Sequence, residues 1–291
     1  MESNLIQLMF RKLLEALKIN AGPKENEKAD VVEARKKEAF SVVLDGITIR
    51  GTIIFPVAHP ARQYPTLIIC HGIPGSGATR PRDDPGYEGL AQQIVSSGIA
   101  AAIFNFRGCG DSGGNFDILG WTRDLEGVID KILNTPYIDP TRIMVLGFSG
   151  GGAAAIYVAA NNPAVYSLAV VGTPASFEIF EKDPDEIIKD FKERGLFRNP
   201  DFPNDVSRWI KGFEEIKPSH WVSHFKGKHL LIVQGDADEL IPIEHAQEIF
   251  DHAPAGIAEL SIITGGVHRL RMDQRCIKIL EKWFLATIGW K

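Results

Sequence analysis

Gly147-Phe148-Ser149-Gly150-Gly151-Gly152-Ala153-Ala154-Ala155 is the stretch on which the reading of this chain turns. The apolar run before it, Ile143 to Leu146, reads as a short buried strand, and Gly151 to Ala160 reads as a helix that opens on small side chains. A serine between glycines, leaving a strand and entering a helix, needs neighbours small enough to let the backbone strain and the hydroxyl project. Ser149 is therefore the expected nucleophile.

Outward from this stretch the chain alternates short apolar runs with helical patterns. The runs are Thr66–Cys70, Ile99–Phe104, Ile143–Leu146, Leu168–Val171, Leu230–Val233 and Leu260–Ile263. Helical periodicity covers Tyr87–Ser97, Trp121–Leu133, Gly151–Ala160, Ile243–His252 and Leu270–Ala286. Buried strands alternating with helices predict an α/β fold with a mostly parallel sheet and helices on both faces. Ahead of them, Phe40–Leu44 and Ile47–Phe55 flank Asp45-Gly46, the signal of an antiparallel hairpin.

One interval breaks the rhythm. About fifty residues separate the strand ending near Gly172 from that starting near His229, more than one crossover helix needs. Residues 174–226 are read as a helical cap. Its Phe177, Phe180, Trp209, Phe213 and Trp221 either form a small core of their own or line an apolar pocket above Ser149. Residues 1–38 form a helical arm and linker, in which Ile6, Met9, Phe10, Leu13, Leu14 and Leu17 make one apolar stripe. Residues 39–291 are the main body. The arm is expected to pack on that body or to serve as a homodimer contact.

Gly110-Asp111-Ser112-Gly113-Gly114 repeats the Gly-x-Ser-x-Gly pattern and matches the nucleophile string of chymotrypsin-like proteases. Here it occupies a glycine-rich loop after a parallel strand, so Ser112 is read as part of a turn. His71-Gly72-Ile73-Pro74-Gly75-Ser76-Gly77 also follows a strand, but no lysine succeeds Gly77 to make a phosphate loop. It suits an oxyanion loop, with the N–H groups of Ile73 and Gly150 as the converging donors. His71 is read as ordering that loop rather than moving protons.

A serine hydroxyl needs a base, and the base needs an acid to hold its tautomer. Of eight histidines, His268 follows the strand Leu260–Ile263 and a Gly265-Gly266 turn, at the sheet edge where α/β proteins keep their sites. His59, His229, His245 and His252 suit surface or packing positions, while His220 and His224 flank Trp221 at the cap's exit. For the acid, Gln234-Gly235-Asp236-Ala237-Asp238-Glu239 supplies three carboxylates after one strand. The order serine, acid, histidine fits any of them.

Four motifs in order resemble the α/β-hydrolase superfamily across nearly all of residues 40–291: His71-Gly-x-Pro-Gly, Phe106-Arg107-Gly108-Cys109-Gly110-Asp111-Ser112, the Ser149 turn, and Gly235-x-x-Asp238-x-x-x-Pro242 with Gly266-x-His268. The chain is most similar to the prolyl-oligopeptidase-related and feruloyl-esterase-like branches. The resemblance implies that the acid lies three residues after Gly235, at Asp238, giving the triad Ser149, Asp238 and His268. A serine at 149 speaks against the branches that use aspartate there, dehalogenases and epoxide hydrolases. A carboxylesterase acting through an acyl-enzyme is the expectation, with a serine peptidase or an acyl thioesterase as alternatives. A non-catalytic binding protein on the same fold is the distant one.

Composition narrows the partners. The chain has 291 residues, 44% hydrophobic and 24% charged, and 32 basic against 37 acidic side chains give a net charge of −5. Nucleic acid is not an expected partner, because that needs a basic surface to displace counterions. The expected partner is a small-molecule acyl substrate. Arg80, Arg82, Arg269 and Arg271 lie near the two loops in sequence and are read as surface groups, with an anionic moiety such as a coenzyme A phosphate as the alternative. Cys70, Cys109 and Cys276 form neither a disulfide framework nor a CxxC pair, so neither metal nor cofactor is expected. No apolar run approaches the ~18 residues of a membrane span. Arg11 and Lys12 interrupt the N-terminal apolar stretch, so a signal peptide is not expected and a cytoplasmic location is.

Overall fold

The computed structural model describes residues 36–57, 63–75, 84–177 and 183–289. The apolar stripe of the arm, His59, Arg80, Arg82 and Phe180 lie outside the described residues. Elements run β1 (Lys37–Leu44), β2 (Ile47–Ile54), β3 (Tyr64–Cys70), α1 (Gly86–Ser96), β4 (Ala100–Asn105), α2 (Ile118–Leu133), β5 (Ile138–Phe148), α3 (Gly150–Asn161) and β6 (Val165–Val171). The segment read as a cap follows, with α4 (Pro184–Glu193), α5 (Val206–Glu215) and the short α6 (Pro218–Trp221). Then come β7 (His229–Gly235), α7 (Ile243–His252), β8 (Ala258–Ile263), a 3-10 turn (Leu270–Met272) and α8 (Gln274–Thr287).

Asp45 and Gly46 both take positive φ, +54° and +73°, as a two-residue hairpin between right-twisted strands requires. Lys37 and Glu38, expected in the linker, already pair with Ile54 and Ile53 as the start of β1. Among the described residues one sheet of eight strands has the order β1-β2-β4-β3-β5-β6-β7-β8. β1–β2 and β2–β4 are antiparallel, and every later pair is parallel. The chain steps from β3 to β4 on one side and then back across to β5 on the other. This makes the C-terminal ends of β3 and β5 the switch point where ligand crevices open in such sheets.

Central strands are apolar on both faces because both are covered. Ile68 and Val145 face one core with Trp121 and Val128 of α2 and Ile156 of α3. Leu67, Ile69 and Met144 face the other, with Ile94 of α1 and Leu280 and Phe284 of α8. Among the described residues the cap's apolar side chains join the main core. Phe191, Trp209 and Phe213 gather around Phe116 of the main body at centroid distances of 4.9, 6.2 and 6.0 Å, and the Trp209 Nε1–H donates to the Phe116 carbonyl at 3.1 Å. Ten-residue helices cannot close a core between themselves, so their apolar faces join the larger one. The predicted helix Leu270–Ala286 is divided at Asp273, whose carboxylate caps α8 by accepting the Arg275 N–H at 2.8 Å.

Candidate active site

Ser149 sits between β5 and α3 with φ +50° and ψ −126°, a conformation costing a non-glycine residue about 1–3 kcal/mol. The surrounding glycines explain how it is held. A Cβ on Gly151 would stand 2.1 Å from the His71 carbonyl oxygen, and one on Gly147 2.5 Å from the Gly152 Cα. Neither could carry a side chain without moving backbone. The His71–Gly75 loop at the end of β3 passes close by. A Cβ on Gly72 would lie 3.0 Å from Ser149 Cβ, and one on Gly150 would lie 3.8 Å from the Ile73 amide nitrogen and clash with its side chain. Ile73 and Gly150, the two expected oxyanion donors, thus flank the serine turn together.

His71 is buried and both of its ring nitrogens are engaged. Nε2 accepts the Phe106 N–H at 3.1 Å, so the proton belongs on Nδ1, which donates to the Gly72 carbonyl at 2.8 Å. Burial lowers its pKa to about 4. It braces the loop as a neutral ring.

Asp238 and His268 meet because two glycines let their loops touch. A Cβ on Gly235 would fall 2.1 Å from the Gly266 carbonyl oxygen. That approach brings the post-β7 loop against the turn before His268, and His268 Nδ1 donates to Asp238 Oδ2 at 2.8 Å, leaving Nε2 as its basic nitrogen. Asp238 also accepts the N–H groups of Leu240 and Ile241 on Oδ1, at 3.0 and 2.9 Å, and the Gln234 amide on Oδ2 at 3.1 Å. Burial pushes its carboxyl upward, but the bond from His268 and the backbone donors outweigh this and leave its pKa below the usual value. Asp236 faces elsewhere and accepts the Gly265 N–H at 2.6 Å, and Glu239 is exposed. Ser112 is buried between strands, accepting the Arg50 N–H at 2.9 Å and donating to the Asn105 carbonyl.

A cavity of about 1510 Å³ opens on Ser149, Gly150, Ile73 and His268, and the cap contributes Ile187, Phe191 and Phe213 to its wall beside Phe177. Of the cap aromatics read as either core or lining, Trp209 and Trp221 are not part of the lining. Trp209 packs in the Phe116 cluster, and Trp221 meets Tyr157 edge-on at 4.7 Å. His220 and His224 stay with Trp221, at 5.3 and 5.6 Å, and are not part of the lining. Arg269 and Arg271 both border the cavity; Arg271 is not the surface group expected, since it pairs with buried Asp84, which lines the same wall. The wall also holds Glu186 and an Asp190–Arg194 ion pair, charged groups the sequence did not reveal as site residues.

Asp124 is a further buried carboxylate that the sequence does not mark as a site residue. It receives the Arg107 backbone N–H at 2.8 Å and its side chain at 3.0 and 2.8 Å, fixing the Arg107-Gly108 loop to α2. A carboxylate on the apolar stripe of α2, between Trp121 and Val128, is the signal that could have found it. Arg198 of the cap donates to the carbonyls of Gly110 and Ser112, closing the same loop from above. Among the described residues no helix is long and apolar enough to cross a membrane.

Strand order, switch point and strained serine turn together define an α/β-hydrolase. Solved structures of that fold superpose at low identity: 2,6-dihydroxy-pseudo-oxynicotine hydrolase (TM-score 0.68, 17% identity, 87% of this chain and 68% of that one) and Est1E from Butyrivibrio proteoclasticus (TM-score 0.63, 19% identity, 86% and 99%). The model of the prolyl oligopeptidase family matches residues 86–285, and the chain belongs to that family. Curated relatives include the quorum-quenching protein AidA of Acinetobacter baumannii, 29% identical over 34% of this chain and 32% of that protein. The acylamino-acid-releasing enzyme of Sus scrofa is 22% identical over 70% and 28%. The monoacylglycerol lipase of Mycolicibacterium smegmatis is 22% identical over 63% and 76%. The matches span about a third or less of the first two relatives' lengths.

Proposed function

We propose that this protein is a serine hydrolase that cleaves carboxylic esters through an acyl-enzyme. Ser149 Oγ attacks the acyl carbon as His268 Nε2 takes its proton, and Asp238 holds the imidazole in the tautomer that makes this possible. The N–H groups of Ile73 and Gly150 receive the developing oxyanion. Collapse expels the alcohol with the proton from His268. Water, deprotonated by the same nitrogen, then attacks the acyl carbon and releases the acid and the free serine. The observation that carries this reading is the 2.8 Å bond from His268 to buried Asp238 on a cavity that also contains the strained Ser149 turn.

Ester preference is supported by the apolar cap wall of Ile187, Phe191 and Phe213, which suits an acyl or aryl group better than a charged peptide. A peptidase reading has one observation in its favour, Glu186 on that wall, together with the acylamino-acid-releasing relative. A panel of p-nitrophenyl esters from acetate to laurate, beside aminoacyl arylamides and acyl-coenzyme A, separates the two. The expected result is the highest kcat/KM on an ester; a higher value on an arylamide would move the assignment to peptidase. Covalent labelling by a fluorophosphonate tests the nucleophile itself. Ser149→Ala should abolish labelling and lower kcat by about 10⁴-fold or more, whereas Ser112→Ala should label at the wild-type rate. An unlabelled wild-type protein would favour a binding role on the same fold.

A further inference from the structure

Asp84 and Arg271 are remote in sequence and meet beside the serine turn. The buried Asp84 carboxylate takes both Nη groups of Arg271 in a two-pronged pair, and its Oδ1 accepts the Gly86 N–H that opens α1, at 2.7 Å. The guanidinium carbon of Arg271 stands 5.2 Å from the centroid of the Tyr87 ring. That ring packs edge-on against Phe148 at 5.5 Å, and its hydroxyl accepts the Gly72 N–H at 3.3 Å. One cluster therefore touches three separate turns. The first holds Gly72 and Ile73, the second Phe148 and Ser149, and the third is Leu270–Met272, directly after His268.

A largely desolvated ion pair is a poor device for stability alone, because the cost of desolvation offsets much of the attraction. A planar guanidinium gripped at two oxygens and laid on an aromatic face is instead a device for fixing direction. The geometry points to a role for Tyr87 and Arg271, locked by Asp84, as positioning residues that keep the oxyanion loop, the serine turn and the histidine turn in one register. This inference rests on the serine-hydrolase reading. Donors aimed at a developing oxyanion act on the transition state, so loosening the cluster should lower kcat and leave KM nearly unchanged.

The test compares wild type, Arg271→Gly, Arg271→Lys and Tyr87→Phe by kcat, KM, fluorophosphonate labelling rate and Tm. Arg271→Gly should lose about 10²-fold in kcat, as expected for misplacement of about 1 Å, and should recover part of it when guanidinium ion is added at millimolar concentration. Arg271→Lys, which keeps the charge without the fork, should stay impaired. Tyr87→Phe keeps the ring and removes the hydroxyl that Gly72 and Arg271 share; it should lose about tenfold in kcat and labelling rate with little change in Tm. A lowered Tm with wild-type kcat would overturn the inference, leaving a plain structural brace. A raised KM at unchanged kcat would also overturn it, since Arg271 would then be a substrate contact. If Arg271→Gly does not fold, wild-type kcat in Tyr87→Phe overturns it alone. Failure of wild type to label at all would strike the hydrolase reading rather than the cluster.

Discussion

Two aspartates two residues apart differ by what they accept. Asp238 takes the His268 proton donor and two backbone N–H groups, while Asp236 takes the Gly265 N–H and pins the turn. Asp238→Asn should lower kcat by about 10⁴-fold, because an amide presents a donor where His268 needs an acceptor. Asp236→Asn should retain most of the turnover, and ester hydrolysis at pH 7.5 compares the two directly. His71 sets a second expectation. Its folded pKa, lowered to about 4 by burial, lies below the ~6.5 of the unfolded chain, so the unfolded state binds the proton first as pH falls. Its contribution is fully present above pH ~6.5 and is lost toward pH 4, with about 2 kcal/mol gone by pH 5. Urea midpoints at pH 7.5 and 5.0 should show this loss, and His71→Asn should flatten it.

Elements meet at this site through glycines more than through side chains. The β7 end and the turn after β8 approach so closely at Gly235 and Gly266 that one methyl group would part them. Gly235→Ala should therefore cost about 10²-fold in kcat by displacing His268 from the serine turn by the order of 1 Å, with secondary structure retained by circular dichroism. The same logic explains the string after Ser149. Gly151 lies against the His71 carbonyl and Gly152 against the Thr173 hydroxyl, where an added Cβ would come within 2.1 and 2.0 Å. Small residues there are a packing requirement of the β3–β5–α3 junction.

The cap is fastened by shared core and by hydrogen bonds to the Arg107–Phe116 segment. Arg198 and Asn199 N–H groups both reach Asn115 Oδ1 at 2.8 Å, and the Phe116 N–H reaches the Leu196 carbonyl at 2.9 Å. Trp209→Ala should destabilise the protein by about 3–5 kcal/mol, as removal of a buried aromatic does, and should loosen the cavity wall with it. Trp221→Ala, at a half-buried ring on Tyr157, should cost less than half of that in the same denaturation experiment.

What the chain revealed unaided follows from how local its constraints are. The hairpin at Asp45-Gly46, the strand–turn–helix around Ser149 and the order of the loops after β3, β5, β7 and β8 each depend on residues adjacent in sequence, where backbone sterics and periodicity act directly. Choosing Asp238 needed more than spacing, because three carboxylates in one loop have the same chemistry and a family resemblance had to separate them. The tertiary structure alone decided the partners of Arg107 and Arg271, the diversion of Trp209 and Trp221 from the cavity, and the entry of Phe191 and Glu186 into it. Those outcomes depend on which surfaces meet after the chain has crossed the sheet. Charge pairing and aromatic packing are indifferent to sequence distance, so no local pattern records them.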